Sequence, residues 1–134
     1  MSYNVYRVSS VGMPRDHHAI FIETNSPSIG CGHVYQVTGN IQDGMVYEDK
    51  PATSPPEDDP SFVGKSLVGT VKETSHPDKV RKVCRSVEAP KKQFDGPRKL
   101  YPEEKVRRCQ EWTAEAVAAL TQAGLLNQDN IISA

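Results

Sequence analysis

Two residues have the types that thiol catalysis needs: Cys109, near the start of a predicted C-terminal helix, and His17, on an early predicted strand. A cysteine attacks as its thiolate, so it needs a lowered pKa and a base that takes its proton. A helix N-terminus, the cations Arg107 and Arg108, and an imidazole would supply both. The same pattern also fits a cysteine that fills the core from the inner face of an amphipathic helix.

His18 is an alternative base. Adjacent residues of a strand point to opposite faces of the sheet, so only one of His17 and His18 can meet Cys109. We favour His17. We interpret His18 as a partly buried histidine whose ring is satisfied by a backbone carbonyl.

A different kind of site, a metal centre, would use four residues: His17, His18, Cys31 and His33. The last two lie across a predicted hairpin from the two histidines, but the chain lacks the Cys-x-x-Cys and His-Glu-x-x-His spacings that mark such sites. A turn cysteine and a surface histidine explain these residues as well. We therefore predict neither a bound metal nor another cofactor.

Charge and composition exclude several classes of partner. The chain has 16 basic and 17 acidic residues, so no general positive field would gather nucleic acid or an anionic membrane. No run approaches the ~18 apolar residues of a membrane span, and the first residues lack the apolar core of a signal peptide. Three cysteines cannot all pair within one chain. We expect a cytoplasmic protein with reduced thiols and a small-molecule partner.

The elements that must position Cys109 and His17 are predicted to form an α+β fold in a single domain, residues 1–134. A hydrophobic content of 37% with ten prolines and nine glycines indicates short elements joined by long connections. Residues 17–23 are apolar on both faces after the two histidines, which is typical of a central strand. The expected strands are 5–10, 17–23, 33–38, 45–48 and 66–71, with an exposed loop at about 50–61.

Two amphipathic helices complete this prediction. Apolar residues recur at helical spacing over 80–87, where Cys84 is interpreted as a small core residue. The longest helix is the last, expected from about residue 102 or residue 106 to residue 123, with Gly124 as its stop. We favour a short turn at residue 102 and a break before residue 106. It should pack against a small antiparallel sheet with Cys109 on its inner face.

Three segments of the chain resemble a known superfamily. The run His-His-Ala-Ile-Phe-Ile at 17–22 resembles the His-Trp-Ala-Leu-Tyr-Val strand of the lecithin:retinol acyltransferase-like group, the circularly permuted branch of the NlpC/P60 papain-like superfamily. Val-Tyr-Gln-Val at 34–37 resembles the next strand of that group. Arg-Cys-Gln-Glu-Trp-Thr at 108–113 is similar to its Asn-Cys-Glu-His-Phe-Val, which opens a long C-terminal helix.

The resemblance implies a circularly permuted papain-like fold with three catalytic positions. His17 falls on the catalytic histidine, Gln36 on the polar residue that orients it, and Cys109 on the nucleophile. It implies a cysteine-dependent hydrolase or acyltransferase, in which Cys109 attacks a thioester, ester or amide and forms an acyl-enzyme. The backbone N–H of Cys109 would help to bind the oxyanion.

The chain departs from the pattern of that group at Gln36 and at Arg108. Lipid-acting members usually have a second histidine where Gln36 stands, and glutamine can hold an imidazole by a hydrogen bond but adds no charge. Arg108 replaces the asparagine, and we expect no hydrophobic C-terminal anchor. The whole sequence is also similar to small uncharacterised fungal proteins that share His-His-Ala-Ile-Phe and Arg-Arg-Cys-Gln-Glu-Trp. A non-catalytic ligand-binding or interaction module on the same fold is the alternative function.

Overall fold

The structure is a computed structural model that describes residues 1–12 and 15–128. These residues form an α+β fold, as predicted. Two 3-10 turns, Pro56–Asp58 and Glu73–Ser75, accompany the regular elements. In chain order the strands and helices are β1 (Ser2–Ser10), β2 (His17–Glu23), β3 (Gly32–Asn40), β4 (Gly44–Ala52), β5 (Phe62–Lys72), α1 (Asp78–Ser86), β6 (Phe94–Asp95), β7 (Arg98–Lys99), α2 (Cys109–Gln122) and β8 (Leu126–Asn127).

Six of the strands form one curled antiparallel sheet in the order β4-β3-β2-β1-β5-β8, and β6 and β7 form a separate small hairpin. The predicted pairing of β2 with β3 is confirmed. β2 lies inside the sheet, and its residues 19–22 are all buried, because the strand is apolar on both faces. The prediction of β2 as a central strand is therefore confirmed.

The sheet opens between β2 and β3 at one end. Their pairing joins residues 20–23 to residues 32–35 and stops there. Residues 17–19 of β2 remain paired with β1, whereas residues 36–40 of β3 remain paired with β4. We call the space between these two segments, which do not pair with each other, the β2–β3 gap. It lies at the end of the sheet that carries His17 and Gln36.

The core lies between the sheet and the two helices. Apolar burial drives this packing, and α2 contacts both β2 and β3. Cys84 on α1 is fully buried, which confirms its interpretation as a core residue. The side chains that α2 buries are Cys109, Trp112, Thr113, Ala116 and Leu120. No helix within the described part of the chain is long and apolar enough to cross a membrane.

The predicted start of the last helix is wrong by three residues, because α2 begins at Cys109 rather than at residue 106. The cause is a buried amide side chain from a distant segment. Gln93 Oε1 accepts a hydrogen bond from the Arg107 N–H (2.7 Å), and Gln93 Nε2 donates to the Arg107 carbonyl (2.7 Å). Both backbone groups of Arg107 are thereby held outside the helix. Arg108 is extended (φ −125°, ψ −169°) and acts as the N-cap.

The predicted exposed loop at 50–61 is shorter than expected. Its first residues belong to β4, which continues to Ala52, and a 3-10 turn occupies Pro56–Asp58. A proline at position 51 is tolerated within β4 because β4 is an edge strand, where a missing N–H costs no ladder hydrogen bond. The predicted boundary differs because the expected strand ends at residue 48 and Pro51 is assigned to the loop.

Gly32 is a position where the strand leaves no room for a side chain. A Cβ built there would lie 2.2 Å from the Ile22 carbonyl oxygen and 2.7 Å from the Phe21 ring. We expect Gly32→Ala to lower the free energy of unfolding by about 1–3 kcal/mol, as overpacking does. Urea unfolding would measure this loss. Gly64→Ala is the matched control, because its nearest neighbour outside the adjacent residues is Ser9 Oγ at 4.0 Å; equal losses in the two variants would contradict the steric argument.

Candidate active site

Cys109 is the first residue of α2 and is 7% exposed. A residue of the helix itself caps its N-terminus: the Glu111 carboxylate accepts a hydrogen bond from the Arg108 N–H (2.8 Å). The N–H groups of the first helical turn, those of Cys109 and Gln110 among them, have no acceptor within the helix and carry the positive end of its dipole. The thiol therefore lies closer to the helix N-terminus than the sequence predicted, where that dipole acts most strongly.

His17 lies in the β2–β3 gap between two partners. Its Nε2–H donates to Gln36 Oε1 (2.8 Å), and the Gln36 amide nitrogen donates in turn to Glu48 Oε1 (3.4 Å). The side chain of His17 also interacts with the Cys109 thiol, which is the largest influence on the pKa of His17. Because Nε2 is occupied by Gln36, Nδ1 is the nitrogen that can take the thiol proton. The structure thus brings together three of the predicted residues, His17, Gln36 and Cys109.

The pKa shifts of the cysteine and the histidine are complementary. The hydrogen bond with Cys109 raises the pKa of His17, against the opposing effect of burial, and the bond with Gln36 raises it further. Burial acts to raise the pKa of the Cys109 thiol, but the hydrogen bonds from His17 and from the backbone of His18 outweigh burial and lower it. Both shifts favour a thiolate paired with an imidazolium.

His18 contributes its backbone rather than its ring. The ring nitrogen Nδ1 accepts hydrogen bonds from Arg7 Nε (3.0 Å) and Nη2 (2.8 Å), and Arg7 Nη2 also donates to the Gln110 carbonyl (3.1 Å). Burial and the Arg7 charge lower the pKa of His18. The ring nitrogen Nδ1 is therefore satisfied by a guanidinium rather than by the backbone carbonyl that we predicted.

The two arginines that precede the cysteine have different surroundings. Arg107 forms a bidentate ion pair with Glu115, with nitrogen–oxygen distances of 2.7 and 2.8 Å. It does not line the pocket that Cys109 lines. Arg108 lines the same pocket as Cys109. Of the two predicted cationic neighbours, the structure places Arg108 at the site.

A pocket of about 580 Å³ opens onto the thiol. This volume lies within the usual range for small-molecule sites. One wall comes from α2 and the β2–β3 gap, and the other from the turn after β3 and the β6–β7 hairpin; His17, Cys109 and Gln110 line it. Gln110 donates from Nε2 to the Asp16 carbonyl, whereas its Oε1 is buried without a partner among the described residues. A substrate donor could satisfy that oxygen.

A second, smaller pocket of about 290 Å³ lies on the other side of His17. His17 and Gln36 are among its polar lining residues, and aromatic and aliphatic side chains such as Phe21, Val34 and Phe62 contribute its apolar walls. Cys109 does not line this pocket. Of these two pockets, the larger is the one that Cys109 lines.

The structure does not bring the four candidate metal ligands together. Cys31 Sγ donates to the Thr53 carbonyl (3.2 Å), and His33 Nε2 lies 2.8 Å from Asp49 Oδ1. Residues 1–12 and 15–128 contain no cluster of three or more histidine, cysteine or acidic side chains that could hold a metal ion. All three cysteines are free and buried.

Glu48 is a member of the site that the sequence analysis missed. It lies directly opposite Gln36 in the pairing of β3 with β4. A signal for it exists in the sequence, because the turn between Asn40 and Gly44 sets the register of this hairpin. Recognising that turn would have placed a carboxylate beside the amide that orients His17.

Comparison with known proteins identifies a family but no activity. Neither the curated proteins nor the solved structures yielded a match. A family described as a family of unknown function (DUF6540) matches residues 5–127, a span that includes His17, Gln36 and Cys109. Because this match covers most of its length, the chain belongs to the DUF6540 family.

Proposed function

We propose that this protein is a cysteine-dependent hydrolase or acyltransferase that acts on a thioester, ester or amide through an acyl-enzyme on Cys109. The observation that carries the proposal is a chain of two contacts among three residues: the thiol at the start of α2 interacts with His17, and His17 Nε2 lies 2.8 Å from Gln36 Oε1. Nucleophile, base and orienting group thus stand in the relation that nucleophilic catalysis requires.

In the acylation step, His17 Nδ1 takes the thiol proton and the sulfur of Cys109 attacks the carbonyl carbon. A carbon–sulfur bond forms, and the carbonyl electron pair moves to the oxygen, to which the N–H of Cys109 donates a hydrogen bond. The bond to the leaving group then breaks, and the leaving group takes the proton from Nδ1. The product is a thioester of Cys109.

In the second step, water or another acceptor gives its proton to Nδ1 and attacks the thioester carbon. The carbon–sulfur bond breaks and the sulfur leaves as a thiolate beside the imidazolium. Water as acceptor makes the reaction a hydrolysis, and an alcohol, amine or thiol as acceptor makes it an acyl transfer. Gln36 keeps the proton on His17 Nε2 throughout, so Nδ1 stays available for these transfers.

We propose further that the fold is the circularly permuted papain-like one. The support is the order of the site residues along the chain: a histidine on β2, a polar residue on β3 and a cysteine at the start of α2. This is the permuted order, and α2 packs against the strands that carry the other two residues.

A non-catalytic binding module is the second candidate function. The low exposure of Cys109, 7%, favours it, because a nucleophile must be reached by its substrate. In that case the pocket of about 580 Å³ would hold a ligand without covalent chemistry. The reactivity of the thiol separates the two functions.

The test is the alkylation rate of each cysteine against pH, read by mass spectrometry, in the wild type and in His17→Ala. We expect Cys109 to react fastest, with an apparent pKa below the ~8.5 of a free thiol. Cys84 is an internal control, because burial raises its pKa to about 12. His17→Ala should remove the advantage of Cys109. If Cys109 reacts no faster than Cys31 and Cys84, the catalytic proposal fails and the binding module is favoured.

A further inference from the structure

Two arginines line the larger pocket, and its lining among the described residues includes no acidic residue. Arg15 lies on the approach to β2, and Arg108 is the N-cap of α2. Neither forms an ion pair or a side-chain hydrogen bond within the described part of the chain. The Arg108 N–H is bonded to Glu111, but Glu111 does not line the pocket.

The other five arginines of the chain each have a partner. Arg7 donates to His18, and Arg85 lies over the ring of Tyr47. The remaining three form ion pairs with acidic residues, namely Arg81 with Asp49, Arg98 with Asp95 and Arg107 with Glu115. The two arginines that have no partner among the described residues are thus the two that line the pocket beside Cys109.

The charge of the site itself leaves these two cations uncompensated. A thiolate and an imidazolium together have no net charge, and Glu48 lies behind Gln36 and does not line this pocket, so Arg15 and Arg108 make the pocket lining positive. The free N–H groups of the first turn of α2 add to this positive potential. Guanidinium groups present planar donors that match carboxylate and phosphate oxygens, which makes arginine the usual side chain for binding such anions.

We propose that this pocket binds an oxyanion of the substrate, a carboxylate or a phosphate, through Arg15 and Arg108. The inference rests on the proposed function, because it assigns the substrate class of the same site: an acyl compound that carries a negative charge within reach of the two guanidiniums. The anion also orients the carbonyl toward Cys109, since the two arginines and the thiol line one pocket.

The test compares iodoacetate, which is anionic, with iodoacetamide, which is neutral and of similar size. The quantity measured is the ratio of their alkylation rates at Cys109, divided by the same ratio for a small free thiol. We expect this normalised ratio to exceed one in the wild type. It should fall about tenfold in Arg15→Gln and in Arg108→Gln, the effect of one charge-assisted hydrogen bond. Lys105→Gln is the matched control, because it removes an exposed positive charge that does not line the pocket.

Protection of Cys109 from alkylation shows whether the pocket binds a carboxylate or a phosphate. Glutarate and inorganic phosphate are added separately, and each is scored by how far it slows alkylation of Cys109 by iodoacetamide, with glutaramide as the neutral comparison. Protection by glutarate indicates a carboxylate, and protection by phosphate indicates a phosphate ester. Protection by neither, with a normalised ratio near one, overturns the anion proposal.

The failure of this inference differs from the failure of the proposed function. If Cys109 has a low apparent pKa that depends on His17 but no preference for iodoacetate, the proposed function stands and the anion site falls. If Cys109 is inert toward both reagents, both proposals fall. If Lys105→Gln lowers the ratio as much as the two pocket variants do, a general charge effect replaces the binding site.

Discussion

Replacing Cys109 by alanine is expected to abolish acyl-enzyme formation and to lower turnover by about a thousandfold or more. The nucleophile is then absent, and His17 has no thiol from which to take a proton. The measurement is the mass of the protein after incubation with an activated acyl ester such as p-nitrophenyl acetate, together with the release of p-nitrophenol. The wild type should gain one acetyl group on Cys109, and Cys109→Ala should gain none.

The control for this experiment is Cys31→Ala. Cys31 is also a buried free thiol, but it lies in the turn before β3 and outside both pockets beside His17. This variant should keep the adduct and the turnover. Circular dichroism and urea unfolding would show that Cys109→Ala remains folded. An acetyl adduct of undiminished yield in folded Cys109→Ala would contradict the mechanism.

Replacing Asp49 by alanine is expected to lower the free energy of unfolding by about 3–5 kcal/mol, the range for breaking a buried ion pair. The Asp49 side chain is 5% exposed and accepts hydrogen bonds from Arg81 at 2.9–3.1 Å. It also accepts one from the Tyr47 hydroxyl (2.8 Å), and His33 Nε2 lies 2.8 Å away. Removing the carboxylate leaves these groups, drawn from β3, β4 and α1, without their shared partner.

Asp78→Ala is the matched control, because Asp78 pairs with the same arginine. Its carboxylate lies 3.8 Å from Arg81 Nη1, and its side chain is 94% exposed. An exposed pair of this kind contributes less than about 1 kcal/mol. Urea unfolding of the two variants would compare them directly. Similar losses would show that burial does not set the strength of this network.

The contribution of Asp49 to the free energy of unfolding should also persist at mildly acidic pH. Burial acts to raise the pKa of Asp49, but the hydrogen bonds from Arg81, His33 and Tyr47 outweigh burial and hold the pKa well below its usual range. A carboxylate with a depressed folded-state pKa stabilises the protein above its unfolded pKa of ~3.9, and this stability is lost as the pH falls through the folded value. The difference between wild type and Asp49→Ala should therefore stay constant from neutral pH to about pH 5, and should shrink below pH 4.

Local patterns were enough to predict the elements that carry the site. The apolar run after His17 indicated a central strand, and β2 is one. Helical spacing after Cys109 indicated an inward-facing thiol, and Cys109 belongs to the core cluster. Both predictions depend on hydrophobic periodicity within one segment, which is the strongest signal in a single sequence.

Contacts between distant segments account for what the sequence analysis missed. The start of α2 depends on Gln93, a buried side chain fourteen residues before Arg107, and no local pattern reveals that contact. The partnership of Asp49 with Arg81 joins β4 to α1 in the same way. The sequence does not reveal that Arg15 lines the pocket, because that position depends on how α2 packs beside the segment that precedes β2.

The hydrogen bond between Gln36 and Glu48 determines which ring nitrogen of His17 carries a proton. A side-chain amide has an NH₂ group that donates hydrogen bonds and an oxygen that accepts them. The Glu48 carboxylate accepts from the NH₂ group of Gln36, so the amide oxygen faces His17. If the amide turned over, its NH₂ group would face Nε2, the imidazole proton would move to Nδ1, and Nδ1 could no longer accept a proton from the thiol. An acidic residue on an edge strand, with no contact to the sulfur, thus selects the protonation state in which the histidine can act as a base.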